Sequence, residues 1–291
     1  MKTKNKKNKK NLNKSLYCNF NLLQMELDNI LITLIEQSAH LVQFDNVNEI
    51  FNEIVKTAKL DVKPDIVLLN KLTSMGYAVD RSKVALVLWE NSLRLAVEWL
   101  TTASASVTDE DITELLSLEV NYESIRINPD NFCEFVKNEM RYLLKIREIK
   151  FETSKENINK IKKMGFQDED QVKRALRKCS NEPNKACLFL LGETLDDPFS
   201  EHRPLPEFID KILGDPDNLV ALSNKNMFLA LINSFVFPVS IFEYVQERKF
   251  TEHLVKIVEA FETEKYFCHG CREPGLFILM DANTLVITDD M

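Results

Sequence analysis

The sequence contains few of the residues that interrupt helices, with six glycines and nine prolines in 291 positions. Alternating apolar and polar runs are absent before the C-terminus, whereas Leu, Glu and Lys are abundant. This composition predicts an all-α protein. No stretch of about 20 apolar residues occurs, so we expect no membrane-spanning helix. The length favours two or three small domains over one large core.

Signatures of catalysis are also scarce. The sequence has no glycine-rich phosphate loop, and its four histidines lie in no recognisable catalytic pattern, at His40, His202, His253 and His269. A non-catalytic protein without a cofactor is therefore predicted. The segment Cys268-His269-Gly270-Cys271 supplies only half of a tetrahedral zinc site, so we predict no bound metal. The six cysteines show no framework spacing and indicate reduced thiols in a cytoplasmic protein.

The net charge of -8 is unevenly distributed. Residues 1–14 carry seven lysines and no acid, which leaves -15 for the rest of the chain (-8 minus 7). We predict that residues 1–19 form a disordered tail, with nuclear import or an anionic partner as alternatives. The acidic remainder argues against nucleic-acid binding.

The strongest positive signal is an internal repeat. Met75-Gly76-Tyr77 and Met164-Gly165-Phe166 are each preceded by apolar residues three and six positions earlier. Each triplet is followed by an Ala-Leu pair, an Asn, an Ala and an aromatic-Leu pair at equal internal offsets. Only the loop after the triplet differs, by one residue, and insertions confined to a loop are typical of a repeated fold unit.

Each copy is predicted to fold as three short helices. Gly76 and Gly165 stand where a helix must end, and Pro183 suits a first helical turn. Asp80 is predicted to cap the second helix of the first copy. The predicted helices are Asp65–Ser74, Asp80–Glu90 and Ser92–Thr101, then Ser154–Met164, Asp168–Ser180 and Pro183–Gly192.

This pattern resembles the ubiquitin-associated (UBA) domain, over residues 65–102 and again over 154–193. In that family the Met-Gly-aromatic loop and the end of helix three form an exposed apolar surface that docks on ubiquitin. The alternative is that these residues are ordinary core of helical hairpins. The resemblance implies a ubiquitin-binding surface at Met75, Gly76, Tyr77, Trp99 and Leu100 in copy one, and at Met164, Gly165, Phe166, Leu190 and Leu191 in copy two. Copy one has Leu100-Thr101 where copy two has Leu190-Leu191.

Other segments also show helical periodicity. A long amphipathic helix is predicted over 20–43 and a second over 46–59, where Asn46 and Glu49 can form a capping box. This hairpin, 20–60, either packs within the chain or offers a helix face to a partner. Residues 103–153 are predicted to contain a linker and a long helix that begins at Asn128-Pro129.

Short amphipathic helices fill residues 205–265, which resemble the heat-shock-chaperonin-binding motif. The resemblance implies a groove for hydrophobic partner segments, and a self-satisfied helical core is the alternative. The groove residues are predicted to be Met227, Phe228, Leu231 and Phe235. In the tail, 266–291, two short apolar runs can form a small hairpin.

The order of these segments over 20–265 resembles the family of ubiquitin-associated domain-containing protein 1. The resemblance implies a non-catalytic accessory subunit of a RING-type ubiquitin ligase complex that binds polyubiquitin and promotes proteasomal degradation of substrates. A substrate-chaperoning ubiquitin shuttle is the alternative function. The family's N-terminal ubiquitin-like domain is expected to be missing, because about 20 residues cannot form one. Two linked units are expected to raise the apparent affinity for ubiquitin chains by up to about 10²–10⁴-fold if the geometry lets both bind.

Overall fold

A computed structural model describes residues 28–41, 47–102, 106–122, 125–195, 197–200 and 207–237. Within these ranges the regular secondary structure is helical and no strand occurs, which confirms the predicted all-α class. The predicted Lys-rich tail, the Asn46 cap, the Cys268–Cys271 segment and the C-terminal hairpin lie outside them. The helices are α1 (28–41), α2 (Val47–Ala58), α3 (Ile66–Ser74), α4 (Val79–Leu88), α5 (Leu93–Thr102), α6 (Asp109–Ser117), α7 (Pro129–Lys150), α8 (Lys155–Lys163), α9 (Glu169–Lys178), α10 (Pro183–Leu190), α11 (Glu207–Gly214), α12 (Pro216–Leu222) and α13 (Lys225–Val236).

The repeat corresponds to two three-helix units, which we call unit one (α3–α5) and unit two (α8–α10). All six helices predicted for the repeat are present, and each begins and ends within two residues of its predicted bounds. In unit one α4 packs against α3 and α5, and in unit two all three helices pack against one another.

Turn chemistry explains why the same residues recur in both units. Gly76 and Gly165 follow the first helix with φ of +94° and +113°, a left-handed conformation that glycine adopts without steric cost. Asn91 and Asn181 precede the third helix with φ of +59° and +68°. Asn91 Oδ1 accepts from the Asp65 N–H at 2.8 Å, and Asn181 Oδ1 accepts from the Ser154 N–H at 3.0 Å. Each asparagine thus ties the start of helix three to the start of helix one.

The predicted cap at Asp80 is wrong. Helix α4 begins one residue earlier, at Val79, and its N-cap residue Ala78 makes no side-chain cap. Asp80 lies inside the first turn and pairs with Lys83 Nζ at 3.3 Å. An acid in this place still interacts favourably with the helix dipole.

Unit one shares one apolar core with most of the described chain, and we call this assembly the body. Its core takes buried side chains from α1, α2, unit one, α6, α7 and α11–α13. Helix α13 packs against α2, and the Phe132 and Phe228 rings lie 5.7 Å apart. Unit two has a separate core, formed by Ile158, Ile161, Val172, Ala175, Leu176, Cys179 and Ala186.

Helix α7 lies at the centre of the body, and the prediction that it begins at Asn128-Pro129 is confirmed. Asn128 caps it through a reciprocal pair of hydrogen bonds with Asn131. Helix α6 precedes it within the 103–153 segment, at a place where the sequence interpretation gave no helix. Thr108 and Asp111 cap α6 in the same reciprocal way.

A buried carboxyl group on α7 makes the stability of the body depend on pH. Burial raises the pKa of Glu139 from 4.5 to about 7, although the Tyr122 hydroxyl, which donates to Glu139 at 2.7 Å, lowers the pKa in part. The side chain of Tyr142 is also buried, and burial raises its pKa as well. Glu139 is therefore protonated in the folded chain at pH values where it ionises in the unfolded chain.

We therefore expect the free energy of unfolding of the body to fall by about 3 kcal/mol as the pH rises from 4.5 to 7, because the folded state retains a proton that the unfolded state loses. Glu139→Gln should remove this decline and make the body more stable than the wild type at pH 8. Urea denaturation at pH 5 and pH 8 measures both effects. An unchanged pH dependence in the variant would contradict the assignment.

No single helix in the described ranges is long and apolar enough to cross a membrane. Helices α12 and α13 pass that test of length and composition only as a pair, bent by 77°. Most of the large side chains of α13 are buried in the core of the body.

Candidate functional site

Unit two presents the residues of the predicted binding surface together. Met164 ends α8 with its side chain 58% exposed, and Leu191 ends α10 with its side chain 72% exposed. Phe166 and Leu190 are half-buried and pack against the core of unit two, which fixes their position. The Cys187 Sγ lies 3.3 Å from Met164 Sδ and so joins the loop to α10. We call the surface formed by Met164, Gly165, Phe166, Cys187, Leu188, Leu190 and Leu191 the unit-two face.

Cys187 and Leu188 are the members of this face that the sequence interpretation missed, and Leu188 adds exposed apolar surface. Leu188 precedes Leu191 by three positions, so both leucines lie on the same side of the helix. Leu195, four residues beyond Leu191, is exposed as well. The spacing of Leu188 and Leu191, three positions apart at the end of the helix, is the signal that could have extended the prediction.

Ion pairs brace the loop that carries Met164 and Phe166. Lys162 Nζ, at the end of α8, lies 2.6 Å from Glu169 Oε2 at the start of α9, and Lys173 Nζ lies 2.9 Å from the other oxygen of Glu169. The hydrogen bonds from Lys162 and Lys173 lower the pKa of Glu169 to about 2. Such surface pairs add little stability. The Lys162–Glu169 pair nevertheless spans the loop, while Lys173, on the same helix as Glu169, holds the other oxygen of that carboxylate.

Unit one does not present the corresponding surface, and the prediction for two of its residues is wrong. Met75 and Gly76 are exposed and Tyr77 is half-buried, but Trp99 and Leu100 are only 4% and 8% exposed. Both side chains belong to the core of the body, because unit one packs against the other helices of the body while unit two keeps a core of its own.

The exposed positions of α5 also differ from those of α10. Where unit two carries Leu188 and Leu191, unit one carries Glu98 and Thr101. Both of these residues are exposed. The end of α5 in unit one therefore offers Met75 polar residues at the two positions where α10 of unit two offers exposed leucines.

The predicted groove in α13 is also wrong. All four of its residues are at most 2% exposed and belong to the core of the body, at Met227, Phe228, Leu231 and Phe235. The Arg147 guanidinium lies 4.5 Å from the centre of the Phe235 ring and covers it. The self-satisfied core, which was the alternative interpretation, describes these residues correctly.

Among the described residues, no group of three or more His, Cys, Asp and Glu side chains could hold a metal ion. A Cys–His pair does occur on the body, where Cys133 Sγ lies 3.3 Å from His40 Nδ1. Burial raises the pKa of the Cys133 thiol, which favours a hydrogen-bonding thiol over a reactive thiolate.

Comparison with known proteins gives one consistent set of relatives. Ubiquitin-associated domain-containing protein 1 of Xenopus tropicalis is 27% identical over 265 residues, which cover 82% of this chain and 63% of that protein. The proteins of the same name from Gallus gallus and Rattus norvegicus are also 27% identical, with the same coverage. The chain thus spans 63% of the length of the curated relatives it matches.

No protein-family model matches the sequence, and no solved structure matches it significantly. The relatives are named for the same domain that the Met-Gly-aromatic repeat resembles. These matches confirm the resemblance that the sequence motifs indicated: the chain is similar to ubiquitin-associated domain-containing protein 1.

Proposed function

We propose that this protein is a non-catalytic ubiquitin-binding adaptor and that the unit-two face is its contact with ubiquitin. The observation that supports this most directly is the joining of an exposed Met164 to an exposed Leu191 on one apolar surface. Contiguous exposed apolar groups on a small folded unit are typical of protein-binding sites. The half-buried Phe166 and Leu190 hold that surface in shape before a partner arrives, which reduces the entropic cost of binding.

We further propose that ubiquitin binds at one unit only. The burial of Trp99 and Leu100, with Glu98 and Thr101 on the exposed side of α5, supports this and replaces the expected avidity of two units. With a single site, each ubiquitin in a tetra-ubiquitin chain should bind with the affinity of mono-ubiquitin, apart from the statistical factor for several ligand copies.

The test uses the full chain and a matched pair of substitutions. Met164→Ala in unit two should weaken binding of mono-ubiquitin at least about tenfold, which corresponds to about 1.4 kcal/mol. Met75→Ala, the same change at the same loop position of unit one, should leave the Kd within about twofold. Isothermal titration calorimetry measures both values.

A third variant replaces two exposed residues of unit two with their counterparts from unit one. Leu188→Glu with Leu191→Thr gives α10 the residues of α5, at positions that are exposed and therefore not needed for folding. We expect loss of ubiquitin binding and an unchanged helical circular-dichroism spectrum. Equal weakening by Met75→Ala and Met164→Ala would overturn the single-site proposal. If the wild type bound no ubiquitin, both the ubiquitin-binding proposal and the single-site proposal would be overturned.

At a finer level, we propose that the adaptor acts as an accessory subunit of a RING-type ubiquitin ligase complex and promotes proteasomal degradation of polyubiquitinated substrates. The similarity to ubiquitin-associated domain-containing protein 1 supports this role. We also propose a cytoplasmic location, which the free thiols of Cys133, Cys179 and Cys187 support. Co-purification of a RING-type subunit with the tagged full chain tests the first role, and its absence would contradict that role.

A further inference from the structure

Helix α6 lies between the second helices of the two units. Its first turn consists of three consecutive acids, Asp109, Glu110 and Asp111. Arg81 Nη2 of α4 in unit one lies 2.7 Å from Asp109, and Arg174 Nη2 of α9 in unit two lies 3.2 Å from Glu110. Helix α6 therefore contacts an arginine of each unit.

The contacts toward unit two include charged groups that are almost fully buried. Asp111 is 2% exposed and lies 2.9 Å from Lys145 Nζ of α7, which is 4% exposed. Arg174 Nε approaches the other carboxylate oxygen of Asp111 at 3.7 Å. Arg177, also buried, donates to Ser106 Oγ at 2.6 Å and to the Ser106 carbonyl oxygen.

The internal repeat shows that these arginines are particular to unit two. Aligning Ala85 with Ala175 places Val84 opposite Arg174 and Val87 opposite Arg177. Unit one thus has apolar side chains where unit two has guanidinium groups, and Val84 is buried in the core of the body. Unit two keeps its own core and does not share the apolar interior of the body. Directional polar contacts therefore hold it against the body.

We propose that Asp111, Arg174 and Arg177 form a latch that holds unit two against α6 and α7 in one orientation. Hydrogen bonds and ion pairs are directional, and a buried charge tolerates few arrangements, so such contacts specify geometry more than they add stability. The unit-two face is then presented in a fixed direction relative to the body. This inference concerns the unliganded chain and does not depend on ubiquitin binding.

The test is nitrogen-15 relaxation of the deuterated full chain. In the wild type, amides of unit two should share one rotational correlation time with those of unit one. The double substitution Arg174→Ala with Arg177→Ala should shorten the correlation time of unit two alone and make the connection at residues 151–154 sensitive to protease. Lys173→Ala is the matched control, because Lys173 lies on the same helix and, among the described residues, its ion pairs are to Glu169 and Asp170 of that helix.

Each outcome decides the proposal. Separate correlation times in the wild type would overturn it, and so would a common correlation time that persists in the double variant. The separate core of unit two lets its folding be verified in the same spectra from its dispersed amide resonances. A double variant that still binds ubiquitin through the unit-two face separates the latch from the proposed function.

Discussion

Phe228→Ala is expected to lower the free energy of unfolding of the body by about 3–5 kcal/mol, which is the usual cost of deleting a fully buried phenyl ring. Phe228 has no exposed surface, and its ring packs against Phe132 of α7. The substitution would leave a cavity between α13 and the central helix. Because small proteins have only about 5–15 kcal/mol in total, this single change would remove a large share of the stability of the body.

Chemical denaturation followed by circular dichroism measures this loss. Val220→Ala is the control, because Val220 lies in the neighbouring helix α12 but is exposed, and its loss should change stability by less than about 0.5 kcal/mol. A Phe228→Ala variant of undiminished stability that no longer binds hydrophobic peptides would refute the core assignment and restore the groove.

The second large effect is expected at Asp111. Removing this carboxylate by Asp111→Ala leaves the Lys145 ammonium buried beside fewer acids, and breaking a buried ion pair costs about 3–5 kcal/mol. We expect the lower end of that range, because Glu114 Oε2 and Glu148 Oε2 remain 2.6 Å and 3.3 Å from Lys145 Nζ. The capping box of α6 is lost as well, at a further cost of about 1 kcal/mol.

A second substitution separates the contribution of the Asp111–Lys145 ion pair to stability from that of the α6 capping box. Asp111→Ala combined with Lys145→Met should recover part of the lost stability, since it removes the uncompensated charge. If the double variant were as unstable as the sum of the two single variants, the pair would not be coupled as described. Urea denaturation at pH 7 supplies the three values.

The pH dependence of the free energy of unfolding gives an independent measure of how much ionised Asp111 stabilises the body. Burial raises the pKa of Asp111, but the hydrogen bond and charge of Lys145 and the hydrogen bonds from Thr108 outweigh this and lower the pKa from 3.8 to about 2. The stabilisation is therefore complete above pH 3.8 and is lost as the pH falls toward 2. The Asp111→Ala variant should lack this part of the acid-induced decline.

Local signals in the sequence predicted most of the secondary structure. The repeated helices followed from glycines and asparagines that fix backbone conformation, and the start of α7 followed from Asn128-Pro129. Helix α6 was not predicted because it has only two buried apolar residues, Ile112 and Leu115. Two such residues are too few to form a recognisable apolar stripe. Its signal was the pair Thr108 and Asp111, a capping box with Asp in place of the commoner Glu.

Exposure was harder to predict than helix position. Trp99 and Phe189 occupy equivalent places in the repeat, yet Trp99 is buried and Phe189 is half-buried. The difference arises from helices distant in sequence that complete the core of the body around unit one. The same reason applies to Phe228 and Phe235, whose apolar spacing fits a groove and a core equally well.

The separate core of unit two also bears on how the protein can change over evolutionary time. Substitutions among Ile161, Val172 and Leu176 alter packing inside unit two without creating cavities in the body. A substitution in α5 of unit one, by contrast, must remain compatible with many helices at once. Recognition can therefore diversify in unit two while the scaffold that carries it stays constant.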